Sequence, residues 1–134
     1  IEVEVKAVEC ADTAWQITQT LQQQLQGFEH CAMITSFDHK IHQALQQQHS
    51  AFKRGLLIED ARGQQAIQDA LDLGCCQIGW MDELATDELI HATQQAQLSI
   101  SVWTVNDIER AKHLRNLGVQ GLITDYPARM LQHL

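Results

Sequence analysis

A chain of 134 residues, 45% hydrophobic and 19% charged, has ordinary globular composition and room for one modest core, so one domain or part of one is the ceiling. A net charge of −8 with histidine neutral, and no visible basic patch, argue against a nucleic-acid partner, whose phosphates call for clustered lysine and arginine. No apolar run approaches the ~18 residues a membrane span needs, and Ile1 to Lys6 alternate apolar with charged, unlike a signal peptide.

The apolar, β-branched runs that read as strands are Ile1 to Lys6, Ala32 to Ser36, Gly55 to Glu59, Cys75 to Gly79, Ser99 to Val105 and Gly121 to Thr124. A helical pattern follows each. After the first strand, Asp12 or Thr13 caps a helix whose apolar stripe includes Ile17, Leu21 and Leu25. Asp38 caps the second, with Ile41, Ala44 and Leu45 turned inward. Ala66, Ile67, Ala70 and Leu71 form the third stripe, and Gly74 stands where a left-handed C-cap belongs. Thr86 opens the fourth helix. In the fifth, Asn106 and Glu109 resemble a capping box, Ile108, Ala111 and Leu114 form the stripe, and Gly118 closes it. Pro127 fits the first turn of a short terminal helix. The glutamine runs Gln22 to Gln24 and Gln46 to Gln48 lie inside helical patterns and read as solvated faces.

Strand and helix alternating at roughly 20–30 residues is the rhythm of a parallel α/β sheet or barrel. With no linker dividing it, 1–134 reads as one unit. An eight-fold barrel takes ~250 residues, so six strand-helix units are part of one, two strands short. The chain opens on a core strand without an initiating methionine, and a missing N-terminal segment is one expectation. Six strands curled around an apolar interior would leave two unpaired edges, which predicts self-association or pairing with that missing segment.

Period two places Glu4 and Lys6 on one face of the first strand, near the C-terminal end where parallel barrels build their sites. A carboxylate there binds a hard cation and an ammonium holds a phosphate oxygen; the plainer reading is a solvated ion pair. Four cysteines without C-x-x-C spacing read as reduced thiols, which favours the cytoplasm. The seven histidines read as solvated, although His39 and His42 sit at i, i+3 spacing and His39 follows a strand end where it would face the barrel mouth.

Four motifs, in order and with spacing that covers nearly the whole chain, resemble the glycerophosphodiester phosphodiesterase family. They are Glu4-Val5-Lys6, Ser36-Phe37-Asp38, Trp103-Thr104-Val105-Asn106 and Gly118 to Pro127. Gln120, in place of an Asp, and Gln97, in place of a Gly, depart from the family pattern. The resemblance implies a metal-dependent hydrolase on a (β/α)8 TIM barrel, with this chain covering about the last six strand-helix units. It implies a small-molecule glycerophosphodiester substrate cleaved to glycerol 3-phosphate and an alcohol, with Mg²⁺ or Ca²⁺ as the divalent metal.

Under that resemblance Glu4 is a metal ligand, Lys6 a catalytic residue in the same site, and Ser36, Phe37, Trp103, Asn106 and Thr124 contact substrate. Trp103 is otherwise a core aromatic, Asn106 a helix cap, and Asp125 a cap for the Pro127 helix. The family's His-Arg-Gly, Glu-x-Asp and His-Asp signatures would precede Ile1, so the chain alone is expected to be inactive. The rival reading is a non-catalytic half-barrel that serves as a binding or assembly module.

Overall fold

The computed structural model describes residues 1–134. Six parallel strands are hydrogen-bonded in sequence order: β1 (Glu2–Glu4), β2 (Met33–Ser36), β3 (Lys53–Ile58), β4 (Gln77–Met81), β5 (Ser99–Trp103) and β6 (Gly121–Leu122). Between and after them run α1 (Ala11–Gln24), α2 (His39–Gln47), α3 (Gln64–Asp72), α4 (Asp87–Gln95), α5 (Ile108–Asn116) and α6 (Pro127–His133), with a 3-10 turn at Asp82–Leu84. β1 and β6 are the two edges.

The sheet is curled. Gln77 Nε2 on β4 donates to Glu2 Oε1 on β1 at 2.8 Å, although three strand spacings of a flat sheet would separate those strands by ~14 Å. Curling turns alternate residues to opposite faces. The outer face presents Ile34, Leu56, Ile58, Ile78, Trp80, Ile100 and Val102, all buried, against helix residues such as Ile41, Leu45, Ala66, Ala70, Ile90 and Leu114. Two apolar clusters result, one under α1 and α2 and a larger one under α3 to α6.

The inner face is mixed where an apolar interior was expected. It carries Glu2, Glu4, Thr35, Gln77 and Ser101, with glycine at Gly55, Gly79 and Gly121, beside the apolar Met33, Leu57 and Trp103. A Cβ at Gly79 would lie 2.6 Å from Leu57 Cδ2 and 3.1 Å from Ser101 Oγ, so inward side chains crowd in from both neighbouring strands. The core therefore lies between sheet and helices.

Local signals account for most helix ends. Asp38 and Thr86 cap α2 and α4 by accepting from Lys40 N and Leu89 N, Pro127 opens α6, and Gly74 and Gly118 take left-handed φ of 66° and 87° just past α3 and α5. Other ends differ from expectation. Cys10, not Asp12 or Thr13, is the N-cap of α1 and makes no side-chain cap bond. Asp107, not Asn106, caps α5 by accepting from Arg110 N at 2.7 Å. On α1 the buried residues are Ala14 and Thr18, while Ile17 is 39% exposed. Small residues let α1 lie close to α2, and Gln48 Nε2 crosses to Thr18 Oγ1 at 3.0 Å. Leu71 likewise faces out, because Ala66, Ile67 and Ala70 already fill the inward stripe of α3. The fourth strand starts at Gln77, with Cys75 buried and Cys76 exposed just before it. No helix is long and apolar enough to cross a membrane.

Candidate active site

The C-terminal ends of β1, β2 and β5 converge on a cavity of about 370 Å³. Glu4, Lys6, Phe37 and Trp103 line it, together with Glu2, Thr35, Leu57, Thr104 and Ile123. β1 stops at Glu4, yet Lys6 still reaches back, and its ammonium meets Glu4 Oε1 at 2.5 Å. Lys6 is 82% exposed, so its charge is free to turn toward a ligand.

Part of the lining is aromatic. The rings of Phe37 and Trp103 meet edge to face, with centroids 5.4 Å apart and planes at 87°. Trp103 Nε1 donates to Gly79 O at 3.0 Å, which pins the indole along the inner face of the sheet. The lining thus offers charge at Glu4 and Lys6 and an apolar surface at Phe37 and Trp103.

Ser36, Asn106 and Thr124 do not line this cavity. Ser36 is buried, and its hydroxyl donates to Val5 O at 2.7 Å and accepts from Asp38 N at 3.0 Å, tying the end of β1 to the β2–α2 turn. Asp38 extends the tie, accepting from Val8 N at 2.9 Å and Lys40 N at 2.9 Å. Burial works against its negative charge, but those amides and the Lys40 ammonium outweigh it and hold the carboxyl below its ordinary pKa. Asn106 Oδ1 accepts from Thr124 Oγ1 at 3.0 Å and from Asp125 N at 3.1 Å, while its Nδ2 donates to Asp125 Oδ2 at 2.8 Å. That closed network joins the loops after β5 and β6. Asp125 is consequently engaged with Asn106 and does not cap α6, whose N-cap Tyr126 makes no side-chain bond.

Reading period two back from Glu4 would have found Glu2, and reading it forward along β2 would have found Thr35. Leu57, Thr104 and Ile123 carry no local signal.

The histidine pair is not a metal site. His42 is buried, not solvated, with Nε2 3.0 Å from Ser36 O and Nδ1 3.5 Å from Cys75 Sγ. Burial pushes its pKa down to about 4 and that of the Cys75 thiol up to about 12, so both are neutral near pH 7. His39 lies beside Arg62 and Asp69 on the outer rim rather than in the cavity. Nor does the chain group three His, Cys, Asp or Glu side chains as a metal centre. Glu4 and Glu2 alone fall short of the six to eight oxygens that Ca²⁺ takes, or of an octahedral Mg²⁺ set, so these residues do not by themselves fit a divalent cation.

Residues 1–129 match the model of the glycerophosphoryl diester phosphodiesterase family. The chain belongs to this family. No curated protein matches the sequence at a significant level. Among solved structures, a glycerophosphodiester phosphodiesterase from Parabacteroides distasonis superposes with a TM-score of 0.84 at 14% identity, covering 98% of this chain and 55% of that one. A phosphodiesterase from Oleispira antarctica, in complex with the product sn-glycerol-3-phosphate, gives 0.83 at 15% identity, covering 99% and 55%. A glycerophosphodiester phosphodiesterase from Thermotoga maritima gives 0.69 at 16% identity, covering 98% and 56%. At these identities the likeness establishes the fold, a TIM barrel of which this chain forms six strand-helix units. The chain spans about half the length of the structures that it matches.

Proposed function

We propose that these six units form part of an enzyme that hydrolyses glycerophosphodiesters to glycerol 3-phosphate and an alcohol. The observation that carries this reading is that the Glu4–Lys6 pair and the Phe37–Trp103 pair line one cavity. Lys6 neutralises phosphate charge, a role suited to a compact ammonium. Trp103 and Phe37 pack against the alcohol side. Ser36, Asn106 and Thr124 act on substrate through the loops they brace. Glu4 contributes one carboxylate to a Mg²⁺ or Ca²⁺ site whose remaining oxygens lie beyond those six units. Free cysteines go with a reducing, cytoplasmic setting.

The test is binding and turnover by the purified 134-residue chain. Sn-glycerol 3-phosphate should perturb amide resonances of cavity residues, and Lys6→Met should weaken binding about tenfold, since a charge-assisted bond is lost. No turnover of glycerophosphocholine is expected with Mg²⁺ or Ca²⁺ present, because the cation set is incomplete. Binding that ignores Lys6→Met would overturn the site assignment. The second reading is a half-barrel that binds without catalysis. Turnover by the chain alone would eliminate it.

The open flanks bear on partners. β1 and β6 carry unpaired backbone groups, and beside them α1 exposes Trp15 at 41% and α6 exposes Leu131 at 83%. Self-association, or pairing with further barrel units, would cover them. Sedimentation of the 15.2 kDa chain at micromolar concentration should therefore show species heavier than a monomer, and a stable monomer would count against this.

A further inference from the structure

Beneath the Glu4–Lys6 pair lies a layer of polar groups to which neither the motifs nor the family match assigns a role. Gln77, 8% exposed, sits on the inner face of β4 and uses its amide nitrogen twice, donating to Glu2 Oε1 at 2.8 Å and to Ser101 Oγ at 3.2 Å. Glu2 is thereby aimed into the cavity that it lines. Its other carboxylate oxygen bonds nothing in the chain. Across from it, in register beside Glu4, Thr35 is 2% exposed and lines the same cavity. No wholly buried polar side-chain atom lacks a partner, and the Thr35 hydroxyl bonds no other group, so it opens onto the cavity. Glycine at Gly55 keeps this floor clear, since a Cβ there would come within 3.1 Å of Thr35 Cγ2 and 3.5 Å of Gln77 Cβ.

We propose that Glu2 and Thr35, with Gln77 as the positioning residue, form a floor that recognises the free hydroxyls of a glyceryl group. This deepens the hydrolase reading and rests on it. A free carboxylate oxygen accepts from one hydroxyl, and the threonine hydroxyl either donates to or accepts from the next. The chemistry suits a neutral polyol better than the phosphate or a cation. Glu2 repels phosphate, whereas Lys6 at the mouth attracts it, and the amide Gln77 spends on Glu2 is a donor where a cation would want another acceptor. Glu2 lies two residues further into the sheet than Glu4, ~7 Å along the strand, and the Lys6 ammonium rests on Glu4, so hydroxyls seat below while the phosphate stays at the rim. Specificity then follows from the burial of Thr35: a ligand lacking hydroxyls leaves that hydroxyl desolvated without a partner, which costs more than the bond itself gains, while the exposed Glu2 adds an acceptor.

The experiment compares sn-glycerol 3-phosphate with ethyl phosphate, which has the same head and no hydroxyl. Dissociation constants come from NMR titration of the 134-residue chain and of its Thr35→Val and Gln77→Met variants. The wild-type chain should prefer glycerol 3-phosphate about tenfold, the worth of one to two such bonds, and in each variant the ratio of the two constants should fall toward one. A merely structural role for Gln77 would weaken both ligands together and keep the ratio. Equal wild-type affinities, or a ratio unchanged in both variants, would overturn the floor. If neither phosphate binds, the hydrolase reading fails first and takes the floor with it, a result plainly different from equal binding.

Discussion

Truncating Trp80 to alanine is expected to lower the unfolding free energy by about 3–5 kcal/mol, a large share of the 5–15 kcal/mol typical of a folded domain. Trp80 lies on the outer face of β4, wholly buried in the larger apolar cluster, with Ile58 of β3 and Val102 of β5 as its register neighbours. Its indole N–H donates to Thr93 Oγ1 at 3.2 Å, and the Thr93 hydroxyl passes its own proton to Leu89 O at 2.7 Å, so truncation opens a cavity and strips a buried acceptor of its donor. The other two tryptophans are internal controls. Trp15 is 41% exposed on α1, and Trp103 lines the cavity, edge to face with Phe37 and bonded to Gly79 O. Urea unfolding followed by circular dichroism should give Trp80→Ala the lowest midpoint of the three alanine variants. If Trp103→Ala unfolds at the same midpoint or below it, then the weight of the core lies inside the curl rather than between sheet and helices.

That contrast also shows which features could be read from residues alone. Caps such as Asp38 and Thr86, and the left-handed turns at Gly74 and Gly118, depend on the nearest few residues, so they are legible locally. The same holds for the strand-end motifs that place Glu4, Phe37 and Trp103, because a parallel barrel brings all C-terminal strand ends to one rim. What stayed hidden depends on which face a strand turns inward. Leu56 and Leu57 read as one apolar run, yet the first meets the helices and the second meets the cavity. The interior was expected to be apolar, whereas alternation mixes glycine, Thr35 and Gln77 with Leu57 there. Asn106 and Asp107 are both competent caps, and the choice fell to Asp107 because Asn106 is drawn to Asp125 across the loop. The depth of His42 is set by Arg54 on β3 and Cys75 just before β4, which its polar neighbours His39, Lys40 and Gln43 do not announce.

Acid should expose that buried histidine. Burial is the main cause of the depressed His42 pKa, reinforced by the charges of Arg54 and His39, while the bond to Ser36 O and the charge of Asp38 act the other way. The folded state therefore holds His42 neutral down to about pH 4, whereas the unfolded chain protonates it near 6.5. Above 6.5 neither state carries the proton and the full stability is present. Between 6.5 and 4 the unfolded state binds more protons than the folded one, so stability falls as pH falls, by up to ~1.4 kcal/mol per pH unit and about 3 kcal/mol in all. Asp38 adds an acid loss of the same sign at lower pH, because its folded pKa is lowered and its contribution disappears as pH falls below the ordinary carboxylate value. A window from pH 6.5 to 5 therefore isolates the histidine. Across it, chemical unfolding should show the wild-type chain losing stability more steeply than His42→Gln, which keeps a donor for Ser36 O and has no proton to gain. Absolute stabilities will differ for packing reasons, so the slope is the quantity to compare. Parallel slopes would mean that water or a local opening reaches His42 in the folded chain, and that the β2–α2 turn beneath Phe37 is looser than its hydrogen bonds to Val5 and Asp38 imply.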